Sequence, residues 1–235
     1  MNFAPLAFAA VTTTALLVTA SNARADSTTY DNQIWAASLN TARLTGRDPS
    51  ASSGLSAWLE FHTRRTGAGY LSIWRPGLGY RLNRFASVWG GYAFIPSIDD
   101  VTREWTVEQR AWQQGLLTVS AADQVTFQLR PRLEQRFREH EDEVAHRARV
   151  FVRVNVAPLP KLPVLLATWN ETFVHLNDVA WGPRTGFDQN RLFLGFGVRA
   201  FQSSRVEIGY LNVTTKRPND HLVAHNLSVN AFTDF

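Results

Sequence analysis

Arginine and glutamate recur at alternate positions along much of this chain, and that spacing is its strongest chemical signal. Arg130, Arg132, Glu134 and Arg136 interleave with Leu129, Pro131, Leu133 and Gln135. Arg147, Arg149 and Arg153 interleave with Ala148, Val150, Val152 and Val154, and Arg191 and Arg199 with Leu192, Leu194, Phe196 and Val198. The bias is towards one cation: of 24 basic residues only Lys161 and Lys216 are lysines. A guanidinium stays charged when buried and forks onto a carboxylate or another anion. The chemistry implied is charge pairing or anion capture rather than proton transfer.

Catalytic groups are sparser. His175, with Glu171 and Asp178 near it in sequence, is the nearest thing to a catalytic cluster. A lipid acyl hydrolase or transferase would need a nucleophile beside such a histidine, and no Gly-x-Ser-x-Gly elbow occurs. His221 and His225 lie four residues apart. On a strand that places them on one face but about 13 Å apart, too far to share a metal. Glu139, Glu141, Asp142 and Glu143 offer hard oxygen ligands without a recognised calcium-loop spacing, so a solvated loop is expected. No cysteine is present, which excludes thiol catalysis and a disulfide scaffold. No metal and no cofactor is expected.

The elements that must hold these residues read with period two. Val125 to Phe137, Arg147 to Val156 and Arg191 to Ala200 alternate apolar with polar throughout. Similar runs cover 33–44, 55–65, 70–82, 85–95, 103–116, 162–175, 204–214 and 222–235. Such alternation makes strands with one apolar and one polar face. Most runs span about 11–15 residues, enough for a tilted crossing of a bilayer, which needs about 9–11. Residues Leu6 to Ala20 form an uncharged apolar run ending at Ala23-Arg24-Ala25, a signal-peptide pattern. The expected organisation is a signal peptide over 1–25 and one all-β domain over 26–235, a single antiparallel outer-membrane barrel of 10–12 strands. The bacterial outer membrane is the expected location.

Three features favour a membrane barrel over a soluble lipocalin-like binding barrel. The chain carries an export signal. Its eight tryptophans, Trp35, Trp58, Trp74, Trp89, Trp105, Trp112, Trp169 and Trp181, fall within strands or near their ends, as interfacial girdles would. Phe235 closes an alternating strand and resembles the terminal signal read by the outer-membrane assembly machinery. Long links are expected at 45–54, 96–102, 138–145, 176–188 and 215–221, with short turns between them. Two short links in succession before residue 85 break that parity. Bacterial single-chain barrels have even strand counts, so ten or twelve strands are expected, with twelve preferred.

Several segments resemble one bacterial family. They are Glu108-Gln109-Arg110-Ala111-Trp112-Gln113-Gln114, Arg130-Pro131-Arg132-Leu133-Glu134-Gln135-Arg136-Phe137 and Arg75-Pro76-Gly77-Leu78-Gly79-Tyr80. Trp169-Asn170-Glu171, Phe187-Asp188-Gln189-Asn190-Arg191 and Glu207-Ile208-Gly209-Tyr210 belong with them. The family is an outer-membrane β-barrel known only as domain of unknown function 2490. The resemblance covers nearly the whole of 26–235; it implies the barrel and its membrane and no activity.

Alternation assigns an inward, non-lipid face. It carries Glu60, Glu108, Glu134, Glu171 and Glu207 together with Arg75, Arg81, Arg110, Arg130, Arg132, Arg136, Arg147, Arg149, Arg153, Arg191, Arg199 and Arg205. Either this face is a plug of mutually satisfied ion pairs, or its excess of arginine lines an anion-favouring channel or pocket. Gly77, Gly79, Gly195, Gly197 and Gly209 on that face would open a lumen or make room for bulky neighbours. The expected role is structural or passive transport, with outer-membrane lipid, the assembly machinery and a small anionic solute as partners. An enclosed arginine face excludes nucleic acid.

Overall fold

The computed structural model describes residues 27–46, 52–121, 124–159, 162–182, 184–201, 203–218 and 220–235. The leader expected over 1–25 lies outside the described residues. Eleven strands follow in order: β1 (Ser27–Arg43), β2 (Gly54–Thr66), β3 (Gly69–Arg81), β4 (Ala86–Asp99), β5 (Trp105–Ala121) and β6 (Val125–Arg138), then β7 (Ala145–Val156), β8 (Val164–His175), β9 (Gly186–Phe201), β10 (Ser204–Lys216) and β11 (Asp220–Asp234). Each pairs antiparallel with the next, and the sheet closes on itself into a barrel.

The count is odd, which corrects the preference for twelve. Eleven up-and-down strands leave the first and last running the same way, so closure needs one parallel seam. β1 and β11 supply it, in register from Ser27↔Asp220 to Thr41↔Asp234. Backbone bonds continue past the strand end, from Arg43 N–H to the Phe235 carbonyl at 2.9 Å and from Phe235 N–H to the Thr41 carbonyl at 2.8 Å. Closure leaves no exposed row of backbone donors and acceptors.

The links alternate between the two ends of the barrel. Links 44–53, 82–85, 122–124, 157–163 and 202–203 lie at the end where β11 terminates, here the C-terminal end. Links 67–68, 100–104, 139–144, 176–185 and 217–219 lie at the opposite, N-terminal end. Long and short links occur at both ends, so the expected segregation by length is weaker than the sequence implied.

The two faces divide as the alternation requires. Leu59, Trp74, Leu78, Phe94, Leu133, Val150, Leu194, Phe196, Ile208 and Leu227 point outward and are exposed. Inside, Trp58, Ile73, Trp89, Ala93, Ile95 and Trp112 pack together on the β2–β5 wall. Trp35, Leu165, Ala167, Phe193, Leu211, Val213 and Ala224 pack on the wall formed by β8–β11 and β1, with Trp169 against them. The tryptophan girdle is therefore corrected: Trp35, Trp58, Trp89 and Trp112 are interior, and among strand tryptophans only Trp74 and Trp105 are exposed outward. Outward aromatics near the strand ends are mostly Tyr and Phe, with Tyr70 and Phe137 towards one end and Tyr80 and Phe127 towards the other.

Inward glycines act as seats for these rings. A Cβ on Gly77 would stand 2.5 Å from Trp112, and one on Gly91 2.7 Å from the same ring. A Cβ on Gly79 would meet Trp89 at 2.2 Å, and one on Gly195 would meet Phe193 at 2.6 Å. The aromatic side chains fill the space that these glycines free.

Candidate functional site in the arginine-rich interior

Between the two aromatic walls lies a layer of ion pairs. Glu134 on β6 is its centre, fully enclosed. It accepts from Arg147 Nη2 at 2.6 Å and Nε at 3.1 Å, and from Arg149 Nη1. Arg110 lies 3.6 Å away, Arg132 3.8 Å and Arg75 4.0 Å. Glu171 on β8 takes Arg149 Nη2 at 2.6 Å and Nε at 3.1 Å, with Arg191 at 3.6 Å and Arg130 at 3.7 Å. Glu60 on β2 accepts from Arg75 Nη1 at 2.6 Å and contacts His62, while Arg132 approaches to 3.6 Å.

Two of these contacts bridge the lumen. Arg132 on β6 reaches Glu60 on β2, and Arg75 on β3 reaches Glu134 on β6. Aromatic rings fill the gaps. Arg132 stands over Trp112, Arg147 and Arg149 over Phe173, and Arg191 over both Phe173 and Trp35. A cation over a ring face regains part of the attraction it loses with water.

Satellite pairs flank the layer. Towards the N-terminal end Glu108 accepts from Arg110 Nε at 2.5 Å and from Arg136 Nε at 2.7 Å. Towards the C-terminal end Glu207 holds Arg153, with Arg205 Nε at 2.9 Å. Arg81 sits at that rim, donating to the Gly46 carbonyl at 3.2 Å. Arg199 is exposed there and joins no ion pair among the described residues.

Two cavities adjoin the layer. One, of about 410 Å³, lies towards the C-terminal end among Trp35, Trp58, Trp89, Arg130, Phe151 and Arg205. The other, of about 290 Å³, lies towards the N-terminal end among Arg64, Glu108, Arg136, Arg147 and Trp181. Ile73, Arg110 and Arg191 line both.

His175 is enclosed within this network. Its Nε2 lies 2.9 Å from Arg136 Nη1 and 3.3 Å from Asp188 Oδ2, and its Nδ1 has no hydrogen-bond partner. Asp178 is separate, capping the loop after β8 by accepting the Thr185 N–H at 2.5 Å. Glu171 turns to Arg149 instead. No serine or threonine hydroxyl bonds to His175 among the described residues. Phe235 is exposed at the C-terminal end.

Sequence reasoning missed four participants. His62 and Arg64 follow from the same alternation as Glu60. Gln114 takes both Arg132 Nε at 2.8 Å and Nη2 at 2.6 Å. Asp188 has the parity of the outward face, yet it bonds Arg147 Nη1 at 3.3 Å inside the barrel. The cause is a bulge: Phe173 pairs with Gln189 but Val174 pairs with Phe187, leaving Asp188 without a partner across the ladder. A bulge re-aims a side chain in this way, and alternation cannot reveal it.

Fold and interior together define a closed all-β barrel with a buried arginine–glutamate layer. The chain belongs to the family described as "Protein of unknown function (DUF2490)", whose profile matches residues 32–224. It is similar to an uncharacterized protein of Methylorubrum extorquens, 34% identical over 168 residues that cover 69% of this chain and 72% of that one. No solved structure matches it.

Proposed function

We propose that this protein is a bacterial outer-membrane β-barrel of structural type, its arginine-rich lumen closed at mid-height rather than open for passive transport. The observation that carries this is the division of faces. An apolar exterior suits lipid, and a charged interior suits a membrane barrel, whereas a soluble barrel inverts that order. Strands of 12–17 residues are long enough to cross the membrane at a tilt. The ion-pair layer supports the closed reading because its side chains reach across the lumen and leave little of themselves accessible. An excess of arginine would still favour anions over cations wherever solute enters.

Cell fractionation and bilayer recording test both halves. The full-length protein expressed in a Gram-negative host should sediment with the outer membrane and run as a compact, heat-modifiable band. Reconstituted in planar bilayers it should give no conductance steps. Recovery in the soluble periplasm would overturn the membrane reading, and steady steps would overturn the closed one.

A further inference from the structure

The larger cavity combines features that a mere plug does not require. Its lining includes ten arginines against three acids, Glu60, Glu171 and Asp234, set among aromatic and aliphatic side chains. At about 410 Å³ it falls within the range of small-ligand pockets. One buried cation in it, Arg130, is only loosely paired. Arg130 is stacked 4.3 Å over Phe151 and 5.8 Å from Trp58, with its side chain about nine-tenths buried. It donates no hydrogen bond among the described residues. Its nearest carboxylate, Glu171 at 3.7 Å, already accepts two bonds from Arg149. Three further polar atoms of the lining residues, Ser56 Oγ, Arg75 Nε and Arg81 Nε, are buried without partners.

We infer that this cavity binds a single-chain anionic amphiphile, its carboxylate or phosphate head on the Arg130 fork and its tail among Trp58, Phe151 and Trp169. A guanidinium set against two rings, its nearest carboxylate at 3.7 Å and beyond hydrogen-bond reach, keeps N–H donors for an oxyanion. The apolar walls supply the rest of the recognition, and a free inorganic anion would leave them unused. This goes beyond the closed-barrel reading and stands independently of the membrane in which the barrel resides.

The test uses the wall tryptophans as reporters. Full-length protein folded in amphipol is titrated with 11-bromoundecanoate, 11-bromoundecyl phosphate and neutral 11-bromoundecanol, reading bromine quenching of tryptophan emission. Saturable quenching by an anionic probe is expected, with the alcohol bound at least about tenfold more weakly, as fits a charge-assisted hydrogen bond. Tighter binding of the carboxylate identifies a fatty-acid type of ligand, and tighter binding of the phosphate a phospholipid-derived one. Arg130→Gln should erase the preference for the anion, and Ala37→Trp, which fills the cavity, should abolish quenching by all three probes. Equal binding of alcohol and acid to the unaltered protein overturns the inference, whatever the variants do. Absence of saturable quenching, or an unchanged preference in Arg130→Gln, does the same.

Discussion

A single carboxylate sets the tone at the residue scale. Glu134 neutralises Arg147 and Arg149 directly and three further arginines at 3.6–4.0 Å. Replacing it by glutamine preserves shape but leaves several buried cations with one counter-charge fewer. Breaking a buried pair from one side costs about 3–5 kcal/mol. Glu134→Gln should therefore move the urea midpoint of the refolded barrel, followed by tryptophan emission, by that equivalent. Arg199→Gln, at an exposed and unpaired position, should change it by no more than about 0.5 kcal/mol. Equal shifts from the two would mean that the layer contributes nothing beyond the average surface charge. The glycine seats make a second prediction at this scale. Gly77→Ala places a methyl group against Trp112, and overpacking of this kind costs about 1–3 kcal/mol. Gly115→Ala, whose Cβ would meet only Pro131 at 3.7 Å, should be near neutral in the same unfolding measurement.

Among the elements, the β1–β11 seam is the feature least legible in the sequence. Period-two alternation located every strand and its faces, because burial on one side of a sheet forces that pattern on the residues themselves. Closure is a relation between residues nearly two hundred positions apart, and no local pattern encodes it. The even-count rule therefore misled, and the tryptophans, read as interfacial girdles from their places in or near strands, lie largely inside, Trp89 and Trp112 against inward glycines. The bulge that turns Asp188 inward was hidden for a similar reason, since it is a property of two strands in register. The parallel seam predicts a cross-link. Ala36 and Val229 are register partners, both outward, and the chain has no cysteine of its own. Ala36→Cys with Val229→Cys should form a disulfide on mild oxidation, detected as altered migration on denaturing gels. Ala36→Cys with Leu222→Cys, seven residues out of register, should not. The reverse result, or cross-linking in neither, would mean that the barrel closes by another pairing.

The whole molecule separates charge from lipid-compatible surface, and the modest net charge of +4 conceals that separation. Acids and arginines occupy the same enclosed space, yet arginine remains in excess even after the layer is paired. The closed-barrel proposal expects two properties from one arrangement: the bridging pairs shut the lumen, and the surplus sets the sign of whatever could pass if they were removed. Removing them together tests both. Glu60→Ser, Arg75→Ser and Arg132→Ser delete the groups that cross between β2, β3 and β6, and Trp112→Ala removes the β5 ring beneath Arg132. They leave Glu134 with Arg147 and Arg149, and Glu171 with Arg149 and Arg191. Stripping both members of a buried pair costs far less than stripping one, so the variant should still fold, as heat-modifiable migration will report. In planar bilayers it should conduct where the parent protein is silent, with a reversal potential under a salt gradient that favours chloride. A folded but silent variant would place the barrier elsewhere than in this layer. Cation preference would mean that the surplus of arginine does not govern the field along the lumen.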